Sequence, residues 1–337
     1  MGIAPRGRQE WWQGSGSRSS LEDALEHVRV GRTARGQVDA CRALFDALNR
    51  FYRAYTAAAP GPPIQSQGNP ISRRSGRTQR EGEAARLGRL MQDGIPAARQ
   101  SWLLARPTLH RLAAFTPRIY SERTVWDAIE DGRYPGMQSE IPQEVLTAAT
   151  ADYTRFSEDM SEWRAGHLTA AATLKALGDV LYVVRSNIAH GEKTPSYGPD
   201  QSKVRRDRAV GAVVRPVLDD ILEAILDFPC RRLATYGTLA PGEPNHVILA
   251  EMDQRWFEGT IDGIAQEEDG YRVVYWRWDG TRQRVSVRLL VSRDLHREWE
   301  RLDQYAGSSY QRILVPVDLA SGMMIVANLY EGVDDDR

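Results

Sequence analysis

Three residues that could do chemistry together stand in one short stretch, VVRSNIAHG: Arg185, Asn187 and His190. Histidine is the side chain whose ordinary pKa lies near neutrality, so it can accept and return a proton at physiological pH. The planar guanidinium of arginine suits the oxygens of a phosphate group and can stabilise charge that builds up there. These residue types suit proton transfer beside a phosphate group, and the pattern is also typical of the polar end of a helix.

Helical geometry separates these two interpretations. Residues five apart, such as Arg185 and His190, lie about 140° apart around a helix, so one copy of the chain would bring them together poorly. Two copies related by a twofold axis would join both sets, and catalysis therefore predicts a homodimer. A capping role needs no partner, because Gly191 can adopt the left-handed conformation after the last turn and a cationic His190 suits the negative end of the helix dipole. Arg185 would then pair with Asp179 or Glu192.

The stretch RSNIAHG, at the end of a long apolar helical pattern, resembles the HEPN superfamily. The resemblance covers residues 168–228 by motif and residues 35–167 by helical character only. It implies an RNA-cleaving or RNA-binding effector that acts as a dimer, of the kind found in toxin–antitoxin and phage-defence systems. His190 would be the general base or acid, Arg185 the phosphate clamp and Asn187 the residue that orients either one.

A basic run opens the next helical segment. It contains Lys203, Arg205 and Arg206. Such a run can bind an RNA backbone through its phosphates, and it is equally typical of a solvated helix face.

Two further segments, TYGTL (235–239) and LDQYAGSSYQR (302–312), resemble the gamma-glutamylcyclotransferase-like family. With the strand that follows, the resemblance covers most of residues 232–332. It implies a mixed, mostly β barrel in which loop N–H groups hold the carboxylate of a glutamyl ligand. The candidate ligand-binding residues are Tyr236, Gly237, Thr238, Leu239, Asp303 and Tyr310.

The residue that the family uses as a base is missing. The resemblance implies a Glu that takes a proton from the α-amino group of the substrate, because an ammonium group cannot attack the γ-amide carbon. Ala306 stands at that position. We therefore expect an inactive domain that serves as a sensor or regulator. The alternatives are a cyclotransferase for γ-glutamyl amines or peptides with Asp303, one helical turn earlier, as substitute base, or a non-catalytic binding protein.

The pattern of apolar residues shows which elements would position these groups. Residues 1–34 are expected to be disordered, and residues 35–230 to form an all-α, HEPN-like bundle with a flexible Pro/Arg-rich insert at 58–80. From about residue 232 short β-branched and aromatic segments alternate with DG, PG and SG turns, which predicts the mostly β domain at 231–337. The fold class is multidomain.

Composition excludes several classes of function. Forty-four basic and 45 acidic residues leave a net charge of −1, so no global field attracts nucleic acid. Cys41 and Cys230 stand far apart without a CxxC motif, which argues against a disulfide framework and a structural zinc site. We expect a cytoplasmic protein, because no signal peptide or membrane-spanning stretch is apparent. We also expect the protein to need neither a metal nor a cofactor.

Overall fold

The structure is a computed structural model that describes residues 18–58, 76–134, 141–190, 201–268, 270–276 and 283–333. Of these, residues 30–224 form one compact unit, and residues 18–29 with 225–333 form a second. The units meet in the sequence at Ala224 and Ile225, whereas the sequence pattern placed the boundary after residue 230.

The first unit is helical, as predicted. The helices that precede the strands are α1 (Arg18–Thr33), α2 (Gln37–Ala58), α3 (Gly76–Arg89), α4 (Ala97–Leu104), α5 (Pro107–Ala113), α6 (Glu122–Glu130), α7 (Gln143–Ala149), α8 (Ala151–Arg164), α9 (Ala170–His190) and α10 (Gln201–Ile225). The part of α1 up to Arg29 belongs to the second unit. A π-helical turn, Leu90–Gly94, continues α3. The core consists of apolar residues at helical spacing, for example Leu44, Leu48 and Phe51 of α2 and Leu177, Leu181 and Val184 of α9, each at most 1% exposed.

Residues 18–33 correct the expectation that residues 1–34 are disordered. They form α1 because Leu21, Ala24, Leu25 and Val28 recur at three- and four-residue intervals and are all buried. The Gly, Ser and Arg residues that suggested disorder lie mainly in residues 1–17, outside the described residues. The helices α2 and α3 also extend into the expected insert, to Ala58 and from Gly76, and residues 59–75 lie outside the described residues.

The second unit contains a barrel. Its strands are β1 (Arg232–Thr235), β2 (Arg255–Glu268), β3 (Tyr271–Tyr275), β4 (Gln283–Val291), β5 (Tyr310–Leu319) and β6 (Met324–Gly332). Five of them close in the order β2-β4-β1-β6-β5, and β5 pairs back onto β2 at Gly259 and Thr260. The β1–β6 pair is parallel and the other pairs are antiparallel. The mostly β fold predicted for this region is confirmed.

Two further elements of this unit, a hairpin and a helix, add to the barrel. The far end of β2 extends past the closed barrel and forms a hairpin with β3, in which Glu268 lies opposite Tyr271. The helix α11 (Leu295–Ala306) packs through Leu295, Trp299 and Leu302 against a core that includes Leu233 and Leu290 of the barrel. The indole Nε1 of Trp299 donates a hydrogen bond to the Cys230 carbonyl at 2.9 Å. This packing fixes where the last residue of α11 lies.

The start of α1 belongs to the same unit as the barrel. Arg18 donates to Asp318 of β5 at 2.8 and 3.0 Å and to Asp262 of β2 at 2.7 Å. Arg29 pairs with Glu331 of β6 at 2.9 Å. Asp262 and Glu331 are buried, so these ion pairs satisfy charges that would otherwise be costly to bury.

Candidate functional site

A cavity of about 920 Å³ lies in the barrel unit. Its walls come from the end of β1 and the loop that follows, the β2–β3 hairpin, the end of α11 and the start of β5. The predicted ligand-binding residues Tyr236, Gly237, Thr238, Leu239 and Tyr310 all line it. The structure thus brings together residues that stand more than 70 positions apart in the sequence.

In the loop 237–239 the carbonyls are hydrogen-bonded, whereas the N–H groups bond to no described acceptor. Its carbonyls are bonded within the loop, because Gly237 accepts from the Ala240 N–H at 3.0 Å and Thr238 accepts from the Asn245 N–H at 3.0 Å. The Leu239 carbonyl lies 3.3 Å from Nδ1 of His246. Within the described part of the chain, no group accepts a hydrogen bond from the three loop N–H groups. Closely spaced free N–H donors at a cavity wall suit an anion.

The Tyr236 side chain is a fixed, neutral part of the cavity wall. Its hydroxyl donates to the Tyr330 carbonyl at 2.6 Å. Burial raises the pKa of this phenol well above its ordinary value, and the neighbouring Tyr310 raises it further. Tyr236 is therefore protonated at physiological pH and serves as a hydrogen-bond donor within the protein.

Ala306, the last residue of α11, lines the cavity with a half-buried side chain. This is the position where the resemblance places the catalytic Glu. Gly307 follows with φ +67°, a conformation that glycine adopts readily and that ends the helix. The cavity therefore contains a methyl group, which cannot accept a proton, where the family has its base.

Asp303 is absent from the residues that line the cavity. Its carboxylate accepts hydrogen bonds from Nε and Nη2 of Arg312 at 2.8 and 3.1 Å and from the Tyr330 hydroxyl at 2.6 Å. The Arg312 guanidinium also lies over the Trp299 ring, 4.4 Å from its centre. Through these bonds Asp303 connects α11 to β5 and β6. Its use as a substitute base gains no support from this arrangement.

Several cavity residues were missed by the sequence analysis. Glu268, Tyr271, Arg272 and Tyr275 come from the β2–β3 hairpin, and Tyr305 precedes Ala306. The hairpin approaches β6 at Gly332, where an added Cβ would overlap Cγ1 of Val273 and come within 2.9 Å of two ring carbons of Tyr275. The sequence signal was weak, because EEDGY resembles any hairpin turn and does not show which face meets the cavity.

In the helical unit, Arg185 and Asn187 bind different partners. Arg185 pairs with Glu83 of α3 at 2.9 Å. The Asn187 amide donates to the Tyr120 carbonyl at 2.8 Å and accepts from the Glu122 N–H at 3.2 Å, which fixes the start of α6. The side chain of His190 lies outside the described residues. Both described members of the motif therefore hold helices together.

The predicted RNA-backbone residues differ in their surroundings. Arg206 pairs with Glu122 at 2.6 Å and with Asp207 at 3.1 Å, and its guanidinium lies 4.8 Å from the centre of the Tyr120 ring. Arg205 is exposed, and the side chain of Lys203 lies outside the described residues. Two carboxylates thus compete with any phosphate for Arg206.

Among the described residues, no group of three or more His, Cys, Asp or Glu side chains is placed to hold a metal ion. No helix in the described part of the chain has the length and apolar character needed to cross a membrane.

Comparison with known proteins concerns the second unit. Two solved structures resemble it: an uncharacterised protein from Pyrococcus horikoshii, at 25% identity and a TM-score of 0.24, and an AIG2-like protein from Mus musculus, at 18% and 0.26. Each match covers 32% of this chain and 80% of the other. No curated protein matches the chain. Residues 233–336 match the family model "Gamma-glutamyl cyclotransferase, AIG2-like", and this region of the chain is an AIG2-like domain of that family.

Proposed function

We propose that the C-terminal domain binds a small γ-glutamyl ligand in its cavity and does not cyclise it. The observation that carries this proposal is the loop 237–239, whose residues line the cavity and whose N–H groups bond to no described acceptor, while its carbonyls are bonded within the protein. A carboxylate is the ligand group that such an arrangement suits. The domain would act as a sensor or regulator rather than as an enzyme.

The chemistry of cyclisation argues against catalysis at this cavity. The α-ammonium group of the ligand must lose a proton before its nitrogen can attack the γ-amide carbon. A positioned general base contributes about 10²- to 10⁴-fold to such a step. Ala306 provides no base, and the carboxylate of Asp303 is bound by Arg312 and Tyr330.

A ligand series tests this proposal on the full-length protein. Calorimetry would compare a γ-glutamyl alkylamide with the same compound whose α-carboxylate is replaced by a carboxamide. We expect the carboxylate to bind at least about tenfold more tightly, because hydrogen bonds to a charged group are worth about 1.5–3 kcal/mol. Equal affinities, or release of 5-oxoproline during the titration, would contradict the proposal.

Cleavage or binding of RNA by the helical unit stays a prediction, as do a homodimer and a role in toxin–antitoxin or phage-defence systems. The bonds of Arg185 to Glu83 and of Asn187 to Tyr120 favour a structural role for these two residues. The measurement is RNA integrity on a denaturing gel in EDTA, with wild type beside His190→Ala. Cleavage by wild type alone would support a nuclease, and equal cleavage by both would rule out His190 as its acid or base.

A further inference from the structure

The cavity contains one carboxylate among its described lining residues, and it belongs to Glu268. Glu268 is the last residue of β2 and is exposed at the tip of the β2–β3 hairpin. Its Oε1 accepts a hydrogen bond from the Tyr275 hydroxyl at 2.8 Å. No described residue donates to its second oxygen, so this oxygen can bind another group.

Phenol rings share the cavity with this carboxylate. Tyr271 lies directly opposite Glu268 in the hairpin, and Tyr305 and Tyr310 line the same cavity. Burial raises the pKa of Tyr310, and Glu268, Tyr305 and Tyr271, which line the same cavity, raise it further. Tyr271 and Tyr305 are 58% and 44% exposed, so this cluster lies at the mouth of the cavity.

The only cation among the described lining residues, Arg272, does not neutralise Glu268. Side chains alternate between the faces of a strand, and Arg272 is paired with Glu267 whereas Tyr271 is paired with Glu268. The backbone carbonyl of Arg272 lies beside Gly237, 3.8 Å from where a Cβ would be. Arg272 therefore meets the cavity through its backbone, and Glu268 is the one described lining residue whose charged side chain lies on the Tyr271 face of the hairpin.

We infer that Glu268 binds an ammonium group at the far end of the ligand, so that the cavity selects γ-glutamyl compounds with a cationic tail. This inference rests on the proposed function. The carboxylate of the ligand lies on the N–H groups of residues 237–239, and its tail extends to the mouth. There an ammonium group meets a carboxylate and aromatic rings, and both attract cations. The cavity volume of about 920 Å³ leaves room for such a tail.

The test uses two ligands of equal length on the full-length protein: γ-glutamyl-1,4-diaminobutane, with a terminal ammonium group, and γ-glutamyl-pentylamine, with a terminal methyl group. We expect wild type to prefer the ammonium ligand by about fivefold at low salt, as an exposed ion pair with an aromatic contribution would give. The Glu268→Gln variant should lose this preference and keep its affinity for the methyl ligand within about twofold.

Glu267→Gln is the matched control, because Glu267 is the preceding strand residue and does not line the cavity. It should keep the preference, and high salt should reduce the preference of wild type. Equal affinity of wild type for both ligands, or a preference that survives Glu268→Gln, would overturn the inference and leave the proposed function intact. Binding of neither ligand would overturn both.

Discussion

At residue 306 a methyl group stands where the family resemblance places a carboxylate, and in the proposed function this difference separates binding from catalysis. Ala306 lies at the end of α11, held by Trp299 and Leu302 in the core. A longer side chain at this position would therefore start from the cavity wall. Asp303 cannot simply take over, because a salt bridge to Arg312 and a hydrogen bond from Tyr330 already hold its carboxylate.

Ala306→Glu should give the domain cyclotransferase activity. A carboxylate at this position would face the cavity and could take the proton from the α-ammonium group of a bound γ-glutamyl amide. We expect release of 5-oxoproline at least about 100-fold faster than with wild type, measured by chromatography. Ala306→Gln has the same size without a base and should stay inactive. Equal rates for both variants would show that residue 306 does not limit the reaction.

At the scale of elements, the β2–β3 hairpin decides the shape and charge of the cavity. The five-stranded barrel closes without β3, and β3 adds a wall that contains Tyr271, Val273 and Tyr275. This wall can lie against β6 only because Gly332 has no side chain. The shape of the cavity thus depends on a glycine that does not line it.

Gly332→Ala should weaken both folding and ligand binding. The added methyl group would overlap Val273 and press on the Tyr275 ring, which displaces the hairpin. Overpacking of this kind costs about 2 kcal/mol of unfolding free energy. Urea unfolding and calorimetry with a γ-glutamyl alkylamide would measure the two effects. Gly82→Ala is the control, because its added Cβ meets nothing within 4 Å. Unchanged ligand affinity in Gly332→Ala would contradict this role of the hairpin.

At the scale of the whole molecule, the barrel unit is discontinuous in the sequence. Residues 18–29 belong to it together with residues from 225 onward. Arg18 joins two strands by pairing with Asp262 and Asp318, and Arg284 pairs with the same two carboxylates at 3.1 and 2.5 Å. Burial alone would raise the pKa of Asp318, but its bonds to Arg18 and Arg284 outweigh this and lower it.

Arg18→Ala should destabilise the barrel unit in a way that depends on pH. Because the folded pKa of Asp318 is lowered, its ion pairs contribute fully above its ordinary pKa of about 3.9 and are lost as the pH falls through the lowered value. We expect a loss of about 2 kcal/mol at pH 7 and a smaller loss at pH 3, both measured by urea unfolding. Arg35→Ala, an exposed arginine in the loop after α1, should change little. An equal loss at both pH values would exclude the ion pairs as its cause.

The sequence by itself determined the helical and mostly β parts and the methyl group at residue 306, because periodicity, turn residues and residue identity are local features. Only the tertiary structure decided that Glu268 lies at the cavity mouth, that Asp303 is bound by Arg312, and that α1 joins the barrel unit. Each of these depends on side chains that meet across the fold, from 9 positions apart for Asp303 and Arg312 to 300 for Arg18 and Asp318. Such pairings depend on packing and charge burial in the folded chain. A local sequence pattern does not show which side chains will meet.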